Sequence, residues 1–370
     1  MLESLRSKFR PAPSASDIKL GIVGCGVMGT RQARMFRGQP GCALVAVADS
    51  SPIKAAAVAR RYGVSRVFSS LDELLDGVKV DAVSIVTTDA SHVPLALEAL
   101  RQGKHVFCEK PLALSAPEAF QLAEVARKAG VINMVNFSYR AMPAIHKARE
   151  LVQSGAIGPV IHVEASYLQD WLGSSDWRND ETNLWRLSNR HGSKGVLSDL
   201  GIHVIDFASY PVGDVAKVNC RLTSFGDLKG APVGDYDFEA NDSAVLHIEF
   251  QNGALGVIHT TRWGTGHKNS LRLRIFGERG SILIDLDASK NHLWLCNGPR
   301  LKSARWQKVR CPRTPTNYRR FLSSIRSGVN DQPDFERGAQ IQQILDCCEQ
   351  SSLSETTVRV GETEPTPVVS

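Results

Sequence analysis

A chain of 370 residues is too long for one ordinary domain, so two domains are expected. Hydrophobic residues at 42% and charged residues at 22% describe a globular protein with ample core, and a net charge of +6 permits an anionic cofactor without demanding nucleic acid. The eight cysteines contain no C-x-x-C pair, which fits reduced thiols better than a disulfide framework or a zinc site, and no apolar run approaches a membrane span. Residues 1–16 show no export signal and read as a flexible arm, and the expected location is the cytoplasm.

From Ile18 the chain falls into a strand–helix rhythm. Ile18, Leu20, Ile22 and Val23 suit a buried strand, and Gly24, Gly26 and Gly29 follow at the G-x-G-x-x-G spacing, with Val27, Met28, Ala33 and Phe36 continuing at helical intervals. In that context the first glycine allows a tight turn, the second admits a pyrophosphate and the third lets helix and strand approach. Glycine-rich turns also arise for structural reasons alone. A second strand, 43–48, ends at Asp49, twenty residues after Gly29. An acid there can accept the adenosine ribose hydroxyls and repel a 2′-phosphate, favouring NAD over NADP, with Ser50, Ser51 and Lys54 nearby softening the preference. The lesser alternative is that Asp49 caps the helix expected over 52–62.

Further strands are expected at 81–87, 104–108 and 131–135, with helices at 93–100 and 117–129 between them. Strands alternating with helices imply a parallel sheet covered on both faces, and such sheets bind ligands beyond the carboxyl ends of their strands. Thr88, Asp89, Glu109, Lys110, Asn136 and Arg140 fall there. Residues 17–140 are therefore read as a dinucleotide-binding domain. After a helix near 144–154 the pattern changes to strands with few helices between them. Ala244, Leu246, Ile248 and Phe250 alternate with polar neighbours, Asn252-Gly253 signals a hairpin, and Leu271, Leu273 and Ile275 repeat the alternation. This predicts a mainly antiparallel sheet with one buried face over 141–357, with helices at 321–326 and 338–348 closing the domain and 358–370 as a loose tail. A partner subunit would suit the other face.

Three stretches carry chemistry. In Glu109-Lys110-Pro111 the ammonium of Lys110 can hydrogen-bond a substrate hydroxyl and steady the alkoxide that develops as hydride leaves. In Gly195–Asp206, Asp199 and His203 are four apart and share one face of a largely apolar helix. An unperturbed His203 has the proton affinity of a general base near neutrality, although a satisfied core histidine beside a capping Asp199 fits the segment as well. Between Tyr167 and His191, Trp171, Trp185, Asp170 and Arg186 mix flat rings with hydrogen-bonding groups, which suits a pyranose and also suits an ordinary loop with aromatic anchors. The basic run 300–320 reads as a solvated sheet edge, and the histidines lack metal-ligand spacing.

Taken together, the glycine turn, Thr87-Thr88-Asp89-Ala-Ser-His92, Glu109-Lys110-Pro111, Asn136-Phe137-Ser-Tyr139-Arg140 and Asp199-x-Gly-x-His203 resemble the Gfo/Idh/MocA family, over roughly 18–357. The resemblance implies a Rossmann domain, a C-terminal α/β domain with a large open sheet, and homodimers or homotetramers through that sheet. It implies Lys110, Asp199 and His203 as catalytic residues. Gly24, Gly26, Val27, Met28, Gly29, Asp49, Ser50, Thr87, Thr88, His92, Glu109, Lys110 and Asn136 would bind the cofactor. Substrate would meet Lys110, Arg140, Tyr167, Asp170, Trp171, Trp185, Arg186, Asp199 and His203. Family members often carry proline where this chain has Thr88, which leaves that loop open. The Tyr167–Leu172 and Trp185-Arg186-Leu187 patterns look like a subgroup acting on cyclic sugars, such as levoglucosan and glucoside 3-dehydrogenases. The expected reaction is therefore NAD-dependent oxidation of a secondary hydroxyl of a sugar, glycoside or polyol, with C3 of a pyranose as one position. Two rivals stand beside it: a sugar-modifying enzyme that uses tightly bound NAD transiently, and a non-catalytic NAD-binding regulator. The second is disfavoured by intact Lys110, Asp199 and His203 and by the lack of a helix-turn-helix segment.

Overall fold

Two compact units, each discontinuous in sequence, make up the chain: residues 1–109, 124–136 and 318–334 form one, and 110–123, 137–317 and 335–370 the other. This computed structural model describes residues 14, 16–173, 177–179, 181–225 and 233–361. The expected arm at 1–16 and the end of the expected tail therefore lie almost wholly outside the described residues.

The first unit holds six parallel strands, β1 (Ile18–Val23), β2 (Cys42–Ala48), β3 (Arg66–Phe68), β4 (Ala82–Ile85), β5 (His105–Cys108) and β6 (Asn133–Val135), in the order β3-β2-β1-β4-β5-β6. That order reverses direction between β1 and β4, the switch point at which doubly wound sheets bind nucleotides. Helix α1 (Val27–Arg37) follows β1 through the glycine turn. Helix α2 (Pro52–Tyr62) is started by Ser51, whose side chain accepts from the Lys54 N–H, with Pro52 in its first turn, and it is stopped by Gly63 at φ +68. Helices α3 (Leu71–Gly77) and α4 (His92–Arg101) complete the series, and α5 (Ala116–Ala129) is divided between the two units after Ala123. Strand β3 and helix α3 had no clear sequence signal, because Arg66 and Val67 are exposed and the strand has three residues.

Helix α8 (Asn317–Ser327), expected to close the second half of the chain, packs instead in the first unit. Tyr318, Phe321 and Leu322 join Phe36 and Phe107 in one core, with the Phe36 ring centroid 5.0 Å from Tyr318 and 5.2 Å from Phe107. Amphipathic spacing revealed that helix but could not say which core its apolar face would meet.

The second unit is built on nine strands: β7 (Val160–Leu168), β8 (Val215–Thr223), β9 (Ser243–Phe250), β10 (Leu255–Thr261), β11 (Ser270–Gly277), β12 (Gly280–Asp285), β13 (His292–Asn297), β14 (Gln307–Arg310) and β15 (Val358–Arg359). Their order is β14-β13-β12-β11-β7-β10-β9-β8-β15. All neighbours run antiparallel except β7 and β10. The β9–β10 hairpin turns at Asn252-Gly253, with Gly253 at φ +84. Val358 and Arg359, placed by the sequence reading in a loose tail, pair with Val218 and Lys217 of β8. Helices α6 (Pro143–Gln153), α7 (Ile202–Val212) and α9 (Phe335–Ser354) pack on this sheet, α9 against β8 and α7 against β7. Ala244, Leu246, Ile248 and Phe250 are buried toward the helices, while Val245, His247, Leu255 and His259 stay exposed on the opposite face. The fold is thus the expected α/β pair of a Rossmann domain and a mainly antiparallel open-sheet domain. Among the described residues no helix is long and apolar enough to cross a membrane. All eight cysteines are free and buried.

Candidate active site

Within the first unit, the expected cofactor residues collect at the carboxyl ends of β1, β2, β4, β5 and β6. The three glycines of the turn have distinct reasons to be glycine. Gly24 sits at φ +100, and a Cβ there would lie 2.4 Å from the Val86 carbonyl oxygen. A Cβ on Gly29 would lie 1.9 Å from the Gly24 carbonyl oxygen, whereas one on Gly26 would meet nothing within 4 Å. Gly24 and Gly29 are therefore required by the turn itself, and Gly26 keeps an open surface at the start of α1. No acidic side chain lies in that first turn and no side chain caps it, so the N–H groups beside exposed Val27 and Met28 offer an anion site. These features fit the pyrophosphate of a dinucleotide.

Gly29→Ala is expected to force the turn open. Overpacking of this kind destabilises by about 1–3 kcal/mol, equivalent to roughly ten- to a hundredfold in NAD affinity when the same turn binds the cofactor. Gly26→Ala, with space for its methyl, is expected to leave thermal stability unchanged and to weaken NAD binding alone. Melting curves and fluorescence titration with NAD separate the two, and equal behaviour of the pair would refute this division of roles.

Asp49 is pinned from both sides: Oδ2 accepts the Cys25 N–H at 2.6 Å and Oδ1 the Ser51 N–H at 2.8 Å. Each oxygen keeps a lone pair for a ribose hydroxyl. Burial and the nearby Asp49 charge push the Cys25 thiol up to about 12, so it stays protonated. Exposed Ser50 lies beside Asp49 in the same loop. The Thr87 and Thr88 loop is tied by Ser91, whose hydroxyl donates to Thr87 Oγ1 at 2.8 Å and to the Thr88 carbonyl at 2.7 Å. His92 is wholly buried with Nε2 3.3 Å from the Thr87 carbonyl, so it shapes this loop from inside, a correction to its reading as a direct cofactor contact. Glu109 Oε1 accepts from Gln32 Nε2 at 2.5 Å and from Asn136 Nδ2 at 2.7 Å. Asn136 is 2% exposed and likewise holds Glu109 from below rather than facing outward. Gln32, unremarked in the sequence, is fully buried and also accepts from the Ser84 hydroxyl. Its only sequence signal was a polar side chain on the apolar face of α1, one turn after Gly29.

Another cluster belongs to the second unit. Lys110 Nζ donates to Asp199 Oδ1 at 2.8 Å and to the Asp199 carbonyl at 3.1 Å. Asp199 Oδ2 accepts from Arg262 Nη2 at 3.0 Å and lies 3.3 Å from Arg186 Nε. Burial pushes the Asp199 carboxyl up, but the combined charges of Lys110, Arg262 and Arg186 outweigh it and hold the group well below the usual carboxylate range. Arg186 stacks over Trp185, 4.6 Å from the ring centroid, and Arg262 over Trp171 at 5.2 Å. Among the described residues, the Asp170 carboxylate next to Trp171 makes no hydrogen bond.

The segment that carries Asp199 and His203 is not a regular α-helix. Leu197–Gly201 is a π-helical turn, in which the Ile202 N–H reaches back to the Leu197 carbonyl, and α7 continues from it. The Tyr139 ring stands edge-on to His203 at 5.2 Å, and Tyr167 lies 6.4 Å away. The two tyrosine hydroxyls are 2.7 Å apart, Tyr167 donates to Asn269 Oδ1 at 3.0 Å, and Gln169 bridges Asn269 to Trp171 Nε1.

Burial and the Lys110 ammonium push the His203 imidazole down to about 3, against the upward pull of Asp199 and Asp206. The expectation of a base titrating near neutrality is thereby corrected: the ring is neutral across the physiological range. The sign of its effect on stability follows. Below about 6.5 the unfolded chain binds a proton that the folded protein refuses, so stability is lost as pH falls from 6.5 toward 3 and is unaffected above. His203→Gln is expected to remove about 1.4 kcal/mol per pH unit from that slope. Urea denaturation of both proteins between pH 7 and 4.5 measures the difference, and parallel slopes would contradict it.

Arg140 belongs elsewhere, which corrects its reading as a substrate contact. Its Nε and Nη2 form a bidentate pair with Asp206 at 2.7 and 2.6 Å, and its guanidinium lies 4.1 Å from the Tyr210 ring centroid. Arg337 reaches the same Asp206 oxygen at 3.4 Å and Asp214 at 2.7 Å. With both Arg140 and Asp206 almost fully buried, the pair is internal to the domain.

A glycine turn feeding a helix at the switch point of a parallel sheet, with an acid ending the second strand, defines a dinucleotide-binding domain. Comparison with known proteins makes the assignment more specific. A family model described as "Oxidoreductase family, NAD-binding Rossmann fold" matches residues 18–137, and one described as "GFO/IDH/MocA C-terminal domain" matches 145–283. An inositol 2-dehydrogenase of Rubrobacter xylanophilus is 32% identical over 271 residues, 72% of this chain and 71% of that protein. A levoglucosan dehydrogenase of Pseudarthrobacter phenanthrenivorans is 29% identical over 293 residues, 73% of this chain and 74% of its own. The solved structure of a levoglucosan dehydrogenase in complex with NADH and levoglucosan superposes with a TM-score of 0.84 at 26% identity, covering 94% of this chain and all of that one. The chain belongs to the Gfo/Idh/MocA family. It is an oxidoreductase, and its cofactor is NAD.

Proposed function

We propose that the protein is a dehydrogenase that oxidises a secondary hydroxyl of a cyclic sugar, glycoside or polyol. The observation that carries this reading is the Lys110–Asp199 pair, with Nζ 2.8 Å from Oδ1, next to a neutral His203 in the second domain. Named relatives that act on inositol and levoglucosan support the substrate class. Bound NAD supplies the hydride acceptor. Lys110 Nζ donates to the reacting oxygen and steadies the negative charge it gains as its proton leaves, the charge that then collapses into the carbonyl as hydride departs from carbon. Nδ1 of His203 is buried without a hydrogen-bond partner among the described residues, so Nε2 is the nitrogen left to take the hydroxyl proton, and taking it means charging a ring that burial and Lys110 otherwise hold neutral. Asp199 orients Lys110 and can accept from a neighbouring hydroxyl. Trp171, Trp185 and Tyr167 offer ring faces and edges suited to the apolar side of a pyranose, and Asp170 and Arg186 offer polar contacts at its rim.

The test is an NADH-absorbance screen of monosaccharides, inositols, anhydrosugars and glycosides with NAD and NADP in parallel. Reduction of NAD by at least one cyclic polyol is expected. Silence across the panel, with cofactor copurifying and no NADH released, would overturn net dehydrogenation in favour of transient use of the cofactor. We further propose that two or four copies associate through the exposed face of the nine-stranded sheet, where Val245 and Leu255 are 48% and 57% exposed. Sedimentation equilibrium measures this, and a monomer at micromolar concentration would reject it.

A further inference from the structure

Arg262 follows directly on the last residue of β10, and its side chain is wholly buried. A buried guanidinium carries a large desolvation cost unless its donors are matched. The same domain shows a matched case in Arg140, which gives two nitrogens to one dedicated carboxylate. Arg262 is arranged otherwise. It gives Nη2 alone to Asp199 Oδ2 at 3.0 Å, and Nη1 to the Arg186 carbonyl at 2.8 Å. Its Nε is buried without a hydrogen-bond partner among the described residues. Where Arg140 gives two nitrogens to one carboxylate, Arg262 divides its donors between the Asp199 carboxylate and the backbone of the Trp185–Arg186 segment.

The effect is to partition the two oxygens of Asp199. Oδ2 faces the arginines and Oδ1 faces Lys110. With Oδ2 anchored, rotation about the Asp199 Cβ–Cγ bond is restricted, and the direction from Oδ1 to Nζ is set. Through Nη1 the same guanidinium also fixes the backbone that carries Trp185 and Arg186, and its face lies over Trp171.

We propose that Arg262 is a positioning residue for the reaction: it anchors one oxygen of Asp199 so that the other holds Lys110 in line with the substrate hydroxyl. This inference rests on the role given to Lys110 and Asp199 above. Arg262 also supplies one of the positive charges that keep Asp199 ionised, second only to Lys110 among them. Its role is invisible in sequence, because 63 residues separate it from Asp199 and only the placement of β10 beside the π-helical turn brings them together.

The experiment uses the full-length protein with aspartate labelled by ¹³C at the carboxyl, the Asp199 signal being assigned by its loss in Asp199→Asn. In Arg262→Gln the Asp199 titration is expected to move upward, toward the usual carboxylate range that the wild-type group lies well below, since a neighbouring guanidinium lowers a carboxylate by roughly one to three pH units. Arg262→Lys retains the charge but cannot span both acceptors, so its Asp199 titration is expected to stay near that of the wild type. Turnover of NAD with a substrate found in the panel should fall about ten- to a hundredfold in both variants, with NAD affinity unchanged. An unmoved Asp199 titration in Arg262→Gln, or full turnover in both variants, would overturn the proposal. If Arg262→Gln fails to fold by circular dichroism, Arg262→Lys decides: full turnover there rejects the anchoring role. The underlying reading fails separately, by full turnover in Lys110→Ala whatever the Arg262 variants do.

Discussion

Lys110→Ala is expected to lower kcat by on the order of 10²–10³-fold, the range seen when a single donor to a developing oxyanion is removed. The loss should fall on kcat rather than on NAD affinity. Lys110 lies in the second domain and its ammonium faces Asp199, whereas the glycine turn and Asp49 belong to the first. Lys110→Arg should recover little. A planar fork presents its donors along fixed directions, while the ammonium is a compact charge that can turn from Asp199 toward a substrate oxygen. There is a second consequence within the variant. Removing the ammonium takes away the largest positive influence on Asp199 and, at the same time, the charge that helps keep His203 neutral. The His203 imidazole should then bind protons more readily, and any residual activity should acquire an acid limb absent from the wild type. Stopped-flow and steady-state NADH assays across pH 5–9 read both effects. Retention of more than a tenth of wild-type kcat would remove Lys110 from the proposed mechanism.

The largest expected effect on stability is at Asp206. Its carboxylate is almost fully buried, pairs bidentately with Arg140 and accepts a longer contact from Arg337. Burial raises its proton affinity, but the charges and hydrogen bonds of Arg140 and Arg337 outweigh that and hold it below the usual range. Asp206→Ala would leave the Arg140 guanidinium buried with no anion beside it. Removing one partner of a buried pair typically destabilises by about 3–5 kcal/mol. Urea unfolding followed by tryptophan fluorescence is a suitable measure, because the tryptophans at 171, 177, 185, 263, 294 and 306 all belong to the second domain. A loss below about 1 kcal/mol would mean that the network is far better hydrated than its geometry implies. Asp206→Asn, which retains one acceptor oxygen, should fall between the two.

What could be read from the sequence was whatever is encoded locally. The glycine turn, the strand ending at Asp49 and the hairpin at Asn252-Gly253 each depend on residues within a few positions of one another, and each stands where the pattern put it. The alternation in β9 and β11 likewise follows from a sheet with one buried face. Less local features escaped. Arg140 carried the signs of a ligand contact because it ends a strand–loop segment, yet only the tertiary placement of Asp206 decided its partner. The proton affinity of His203 depends on burial and on Lys110, and neither is written in the spacing of Asp199 and His203. Gln32 and Arg262 had no signal beyond being polar residues in apolar runs. Strand β15 is two residues long, too short for any period to show.

The π-helical turn at Leu197–Gly201 bears on how this site tolerates changes in chain length. Such a turn holds one residue more per hydrogen-bonded loop than an α-turn, so it is equivalent to a single-residue insertion carried inside a helix. Deleting Leu200 would offer the backbone a regular α-helical course through the same span. Each residue of an α-helix turns by about 100° about its axis, so the deletion would leave Asp199 and His203 three apart on one face but carry Asp199 around the axis relative to Lys110 and Arg262, while the helix itself survived. Circular dichroism and an NADH assay on that variant would report the two consequences independently. For this protein, then, the alignment of Asp199 with Lys110 and Arg262 is stored as a length of chain, and indels at this one turn would alter chemistry before they altered folding.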